Sequence, residues 1–206
     1  MKNGLGVRRR LALDMFSSIE DKRIAAHELR TIMWEATLRC NLACRHCGSD
    51  CRSEAAVPDM PAADFLRTID TITPHVVPNR VLIVITGGEA LMRRDIEEVG
   101  RALYDRGYPW GIVTNGMLLD ERRLESLLRA GLHTATVSLD GFAETHNRIR
   151  RNERSYERAL GALRLLARQP DILYDAVTCA LGAQEVNASV LAAVGIDLGI
   201  IALFAV

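Results

Sequence analysis

The sequence has no excess of charge of either sign: 26 Lys and Arg stand against 26 Asp and Glu. It therefore has no electrostatic footprint for nucleic acid or an anionic membrane surface. It has no apolar run long enough to span a bilayer. After the short basic run Arg8, Arg9 and Arg10, the residues LALDMFSSIEDKR turn polar within a few positions. No signal-peptide core can be built from them, and the basic run reads as a solvated, mobile end. Linkers and low-complexity stretches are missing too, so nothing splits the chain into tandem domains. Cysteine is scarce, five in 206 residues, and the count is odd. An odd count without a secretion signal argues against a secreted disulfide framework. These absences lead to the expectation of a cytoplasmic globular protein. The 49% hydrophobic content is enough for a sizeable core.

What is present is an alternation of strands and helices. Residues 31–38 (TIMWEATL) are β-prone and run into a cysteine-rich loop. VLIVIT (81–86) is a continuous apolar run, as expected of a strand buried on both faces. WGIVT (110–114), TATVSLD (134–140), ILYDAVTCA (172–180) and DLGIIALFAV (197–206) read as further strands. Helices are expected over 59–73, where Phe65, Ile69 and Ile72 repeat at helical spacing, and over 91–106, ended by Gly107. Asp120 can cap another helix, and 154–168 and 184–194 complete the set. Strands separated by helices imply parallel pairing with right-handed crossovers. Six such units fall two short of a closed eight-unit barrel. The expected fold is α/β: a partial (β/α)6 barrel, an open curved parallel sheet with helices outside. A doubly wound sheet is the alternative. Residues 1–30 read as an N-terminal extension and 31–206 as the core. The chain stops inside an apolar strand with no helix after it, which predicts a core incomplete at its C-terminus.

The cysteine loop is TLRCNLACRHCGSDCR, residues 37–52. Cys40, Cys44 and Cys47 have the spacing Cys-x3-Cys-x2-Cys, and Cys51 follows. The loop leaves the first strand, so it lies at the strands' C-terminal edge, where parallel α/β proteins build their active sites. Three thiolates on a 4Fe–4S cluster would leave one iron open to a ligand. A zinc site or a fully ligated electron-transfer cluster using all four cysteines competes with that reading. The compact, irregular spacing favours iron–sulfur, because structural zinc ligands more often come in two separated pairs.

Three further segments carry chemistry. Thr86-Gly87-Gly88-Glu89 follows the second strand; its glycines let backbone approach a ligand, and Glu89 can receive an ammonium. Thr114-Asn115-Gly116 follows the third strand and taken alone is a common turn. Val137-Ser138-Leu139-Asp140-Gly141 ends the fourth, with Ser138 and Asp140 on one side of the strand. His146-Asn147-Arg148-Ile149-Arg150 comes next, and Arg150 can fork onto a carboxylate. Arg148 and Arg151 read as solvated, Cys179 as a small core residue, and Cys51 has no assigned role.

Taken together, CNLACRHC, TGGE, TNG, SLDG and HNRIR fall at successive strand ends and resemble the radical S-adenosylmethionine (radical SAM) enzymes. The likeness runs from about residue 31 onward. It is nearest to the core of the peptide- and protein-modifying branch that bears a C-terminal SPASM domain. His46 before the third cysteine, where the family is often aromatic, also occurs in peptide-modifying branches. Two positions depart from the family: Ala90 where proline is frequent, and Asn147 in place of the aspartate of His-Asp-x-x-Arg. The resemblance implies a 4Fe–4S cluster on Cys40, Cys44 and Cys47. It implies S-adenosylmethionine bound by Gly87, Gly88, Glu89, Ser138, Asp140 and Arg150. It further implies reductive cleavage of SAM to a 5′-deoxyadenosyl radical, which takes hydrogen from a substrate. Expected partners are a ribosomal peptide or protein substrate and an external one-electron reductant, with no nucleic acid and no membrane. A radical SAM enzyme acting on a small molecule is the alternative, as is a non-enzymatic module binding zinc or a fully ligated cluster. The latter does not account for Gly87, Gly88 and Glu89, or for Ser138 and Arg150.

Overall fold

Short β-branched and apolar runs, each ended by a polar or glycine-containing turn, become the strands of one sheet. A computed structural model of the chain describes residues 6–180 and 201–205. The strands are β1 (Thr31–Glu35), β2 (Leu82–Thr86), β3 (Trp110–Thr114), β4 (Leu132–Ser138), β5 (Leu173–Ala180) and β6 (Ile201–Ala205). They lie in the order β1-β2-β3-β4-β5-β6, and every neighbouring pair is parallel. The sequential order is that of a barrel wall, not of a doubly wound sheet, whose order reverses at a switch point. With β1 and β6 as its two edges, the sheet is an open partial barrel, as expected.

Among the described residues, the helices are α1 (Val7–Ala25), α2 (Ala62–Ile72), α3 (Ile96–Asp105), α4 (Glu121–Arg129), α5 (Ala143–Arg150) and α6 (Ser155–Leu166). One core joins sheet and helices. Ile83, Ile85, Trp110, Ile112 and Val137 come from strands, and Ile69, Leu103, Leu127 and Leu163 from helices. Each is fully or almost fully buried, which stabilises by about 1.5–3 kcal/mol per large side chain. Asp120 caps α4 as expected: its Oδ1 accepts from the Arg123 N–H at 2.8 Å. Gly107 and Gly131 end α3 and α4 with φ of +81° and +90°.

The chain divides into two units, Met1–Arg30 and Thr31–Val206. In the first, α1 is exposed along most of its length, with Leu11, Phe16 and Ile24 open to solvent. This helix was not expected of a mobile basic end. Straight-chain and alanine residues in LALDMFSSIEDKRIA are sufficient helix formers.

Other differences have local causes. The expected helix over 91–106 is broken into a 3-10 turn, Ala90–Met92, and then α3. Arg93 between them is extended, and its buried guanidinium donates to the Ala36 carbonyl (2.7 Å), the Met60 carbonyl (3.0 Å) and Asp95 (2.8 Å). It also stacks 4.7 Å from the Trp34 ring centroid. A buried cation needs those partners, and they hold residue 93 out of the helix. Strand β1 ends three residues before the expected Leu38. The chain does not leave the sheet there. Ala36 N–H donates to Thr86 O, Gly88 N–H to Thr37 O and Glu89 N–H to Arg39 O. That ladder delivers Cys40 to the end of β2. α5 escaped the sequence reading because its buried side is polar: His146 and Arg150 beside Ile149. The expected helix over 184–194 lies outside the described residues, as do both ends of the expected last strand. Among the described residues, no helix is long and apolar enough to cross a membrane.

Candidate metal centre

At the C-terminal ends of β1 to β4 lies a cavity of about 260 Å³. Cys40, Cys44, Cys47 and Cys51 line it, with Gly87, Gly88, Ser138 and Arg150. The cysteine loop is held in place at three points. Cys40 N–H donates to the Arg52 carbonyl at 2.6 Å, and Arg45 N–H to the Ile149 carbonyl of α5 at 2.9 Å. Asn115 on the β3 turn donates through Nδ2 to Asn41 Oδ1 at 2.8 Å.

The sulfurs themselves receive donors. Leu42 N–H points to Cys40 Sγ and Cys51 N–H to Cys47 Sγ, each at 3.4 Å. Asn115 Nδ2 lies 3.8 Å from Cys40 Sγ. N–H groups aimed at sulfur stabilise thiolate ligands and tune a cluster's potential. Burial pushes the Cys40 and Cys44 thiols up, and Arg150 partly offsets this at Cys44. Cys51 is pushed up to about 11 by burial and by Cys47. Metal binding to these thiols must therefore release protons.

The donor geometry also bears on which metal fits. Tetrahedral zinc, about 2.3 Å from each sulfur, requires ligand atoms about 4 Å apart. Among the described residues, the three-ligand group that gathers within 4.8 Å is His46, Asp140 and Cys179, not the cysteine loop. Thiols spread around a cavity, in an apolar patch with Leu42, suit a cluster of several irons better than one zinc ion. The residues present fit a 4Fe–4S group.

Gly87 and Gly88 do line the cavity, but the need for glycine comes from elsewhere. A Cβ at Gly87 would sit 2.2 Å from Thr37 O, and one at Gly88 2.4 Å from Arg39 O. Gly87 also has φ +138°. The close approach is thus to the chain that presents Cys40. Gly88→Ala is expected to destabilise the protein by about 2–3 kcal/mol, since backbone cannot yield as a side chain can. Urea denaturation alongside the iron content after reconstitution would measure both consequences.

Glu89 also serves the fold. Its carboxylate is buried behind the cavity and already engaged. Oε1 accepts from Leu91 N–H at 3.1 Å and from the Thr114 hydroxyl at 2.7 Å, and Oε2 from Asn115 N–H at 2.7 Å. It ties the end of β2 to the end of β3. Burial pushes its carboxyl up, against the pull of these three donors and of Arg150.

Ser138 faces the cavity from the end of β4, whereas Asp140 sits behind it with 1% of its side chain exposed. Asp140 Oδ2 accepts from Arg150 Nε at 2.8 Å, and Oδ1 from Cys179 N–H at 3.0 Å. Its own N–H donates to His146 Nδ1 at 2.9 Å. Burial alone would raise the Asp140 carboxyl. The Arg150 charge and hydrogen bond reverse that and hold it below the usual carboxylate range. His146 is pushed down to about 4 by burial and Arg150, so near neutral pH it accepts as a neutral imidazole.

Several residues do more in the structure than their residue type and spacing indicate. Asn115, by its sequence an ordinary turn residue, bridges the β3 turn to the cysteine loop. Cys179, read as core, is half-buried at the end of β5 with its thiol near Asp140 and His46. His46 Nε2 lies 3.6 Å from Asp140 Oδ2. Asn147, the departure from the aspartate pattern, serves the fold. Its Oδ1 accepts from Ser155 Oγ and Tyr156 N–H, both at 2.9 Å, at the start of α6.

The profile of the Radical SAM superfamily matches residues 34–173. An AdoMet-dependent heme synthase from Methanosarcina barkeri is 34% identical over 138 residues, 66% of this chain and 39% of that protein. A PqqA peptide cyclase from Granulibacter bethesdensis is 29% identical over 136 residues, 66% of this chain and 36% of that protein. The chain thus spans well under half the length of these curated relatives. Among solved structures, Streptococcus suis SuiB bound to precursor peptide SuiA superposes with a TM-score of 0.66 and 13% identity. It covers 100% of this chain and 46% of that one. At that identity the likeness shows the fold.

Proposed function

We propose, from the premise that this chain belongs to the radical SAM superfamily, that Cys40, Cys44 and Cys47 hold a 4Fe–4S cluster and that the adjoining cavity takes SAM. When bound, the cluster supplies the electron that cleaves SAM to methionine and a 5′-deoxyadenosyl radical, which abstracts hydrogen from a substrate. The observation that carries this reading is the convergence of the three thiols with Gly87, Gly88, Ser138 and Arg150 on one cavity.

The chain's own residues have separable tasks. Cys40, Cys44 and Cys47 ligate. Gly87 and Gly88 leave backbone facing the cavity, where it can contact the methionine part of SAM. Arg150, with Nε fixed on Asp140, presents a fixed positive charge suited to a carboxylate. Ser138 offers a hydroxyl to the ribose or carboxylate. Glu89 and Asp140 act behind the cavity, as positioning residues for the Thr114-Asn115 turn and for Arg150. Leu42 and the apolar patch around the cysteines limit water at the cluster.

The substrate we propose is a ribosomal peptide or protein, reduced equivalents coming from an external one-electron donor in the cytoplasm. Support comes from the peptide cyclase relative and from a fold shared with a peptide-bound enzyme. The higher identity to a heme synthase favours a second reading, a tetrapyrrole-like small molecule.

The test is anaerobic reconstitution with iron and sulfide, reduction, addition of SAM and assay for 5′-deoxyadenosine. Wild type is expected to produce it, and a chain carrying Cys40→Ala with Cys44→Ala is not. Stoichiometric zinc with no cluster would sink the reading. Hydrogen transfer from deuterated peptide or porphyrin candidates into 5′-deoxyadenosine would separate the two substrate classes.

A further inference from the structure

Cys51 lies outside the ligand triplet, yet it is the more deeply buried neighbour of that triplet, 4% exposed, and it lines the same cavity. Its position is built. Asp50 turns the chain back through a left-handed conformation, φ 44°, which aspartate adopts more readily than most non-glycine residues. Cys51 N–H then donates to Cys47 Sγ at 3.4 Å, and its thiol donates to the Ser49 carbonyl at 3.8 Å. The next residue pairs with the segment that carries Cys40: Arg52 forms an isolated bridge with Arg39 and its carbonyl accepts from Cys40 N–H. Cys51 and Cys40 belong to one buried apolar group with Leu42, against which Cys44 and Cys47 pack. A soft donor is thus fixed beside three others, where a cluster held by three thiolates has one iron without a protein ligand.

We propose that Cys51 is a resting ligand: it occupies the fourth iron while SAM is absent and gives up that position when SAM binds. This rests on the cluster reading above. The step is a ligand exchange in which no electron moves. The Cys51 thiol gives its proton to water as its sulfur–iron bond forms. When SAM binds that iron, the bond breaks and the thiolate takes a proton from water. Such a ligand would shield an iron that is otherwise open to loss or oxidation in the SAM-free enzyme.

Mössbauer spectroscopy of the iron-labelled, reconstituted chain tests the inference independently of turnover. In wild type without SAM, the four irons are expected to be alike, and SAM should make one distinct. In Cys51→Ala, one iron should already be distinct without SAM. Ferricyanide should then convert a several-fold larger fraction to a 3Fe–4S form. If Cys51→Ala does not fold, Cys51→Ser keeps the size and replaces a soft donor with a hard one, so it should also set one iron apart. Superimposable SAM-free spectra of wild type and variant would overturn the inference and leave the cluster reading standing. A wild-type spectrum unmoved by SAM would make Cys51 a permanent ligand and overturn the exchange. No cluster in wild type would remove the reading itself, and this inference with it.

Discussion

Arg150→Ala is expected to cost about 3–5 kcal/mol of stability, the range for removing one partner of a buried ion pair. Both groups are out of water: 10% of the Arg150 side chain and 1% of that of Asp140 are exposed. The loss is large because the Asp140 carboxylate loses its one guanidinium partner, with His46 Nε2 at 3.6 Å left beside the freed oxygen. Its other oxygen keeps only the Cys179 N–H. A double change, Asp140→Leu with Arg150→Met, is expected to recover much of the loss, since it removes the stranded charge as well. The pH dependence separates this account from simple loss of packing. In wild type the Asp140 carboxyl lies below its unfolded value of about 3.9. Its contribution to stability is therefore present above that value and lost as pH falls through the lower folded one. In Arg150→Ala only burial and weaker partners remain, so the folded value rises above the unfolded one. The sign then reverses, and the variant should gain stability as pH falls toward about 4. Denaturant titrations of both chains from pH 3 to 8 check the prediction, and parallel slopes would contradict it. The same variant should lose 5′-deoxyadenosine formation even where it remains folded.

Glu89→Ala is expected to cost about 3–5 kcal/mol. The change strands the N–H groups of Leu91 and Asn115, each buried and each worth about 1–3 kcal/mol when left without an acceptor. The Thr114 hydroxyl loses its acceptor too, although it keeps the Gly116 N–H as a donor at 3.1 Å. Glu89→Gln retains the volume and one acceptor oxygen. It should cost about 1–2 kcal/mol, because its amide nitrogen must face at least one N–H that formerly met oxygen. If Glu89 instead chiefly contacted a ligand amine, both variants would fold like wild type and lose only SAM affinity. Thermal unfolding without ligand, beside a SAM-binding titration of the reconstituted chain, distinguishes the two. Iron content is expected to follow stability, since the Asn115 turn that Glu89 fixes also holds Asn41 and faces Cys40.

The alternation of apolar strands with helices determined the architecture in advance, because a strand buried on both faces needs a continuous apolar run and little else does over so short a length. The same holds for the cysteine loop. Thiols are few, their spacing is local, and the loop's place after a strand follows from the alternation. Helix α5 was hidden, since burying His146 and Arg150 breaks the apolar periodicity that marks a helix. The break at Arg93 was hidden too, for its cause is carbonyls at Ala36 and Met60, far away in sequence.

At the site, the sequence alone identified which segments converge, and tertiary structure decided what each residue does there. Gly88 had to be small, but only the packed chain reveals that the neighbour is Arg39 O. Glu89 and Asp140 were legible as carboxylates at strand ends. Whether such a carboxylate faces a ligand or the protein depends on donors brought by β3, α5 and β5, which no local pattern encodes. Cys51 and Cys179 show the same division. Their chemistry is fixed by residue type, while the nearness of Cys51 to Cys40 and Cys47 and of Cys179 to Asp140 exists only once the loop turn and parallel strand pairing have closed the distance.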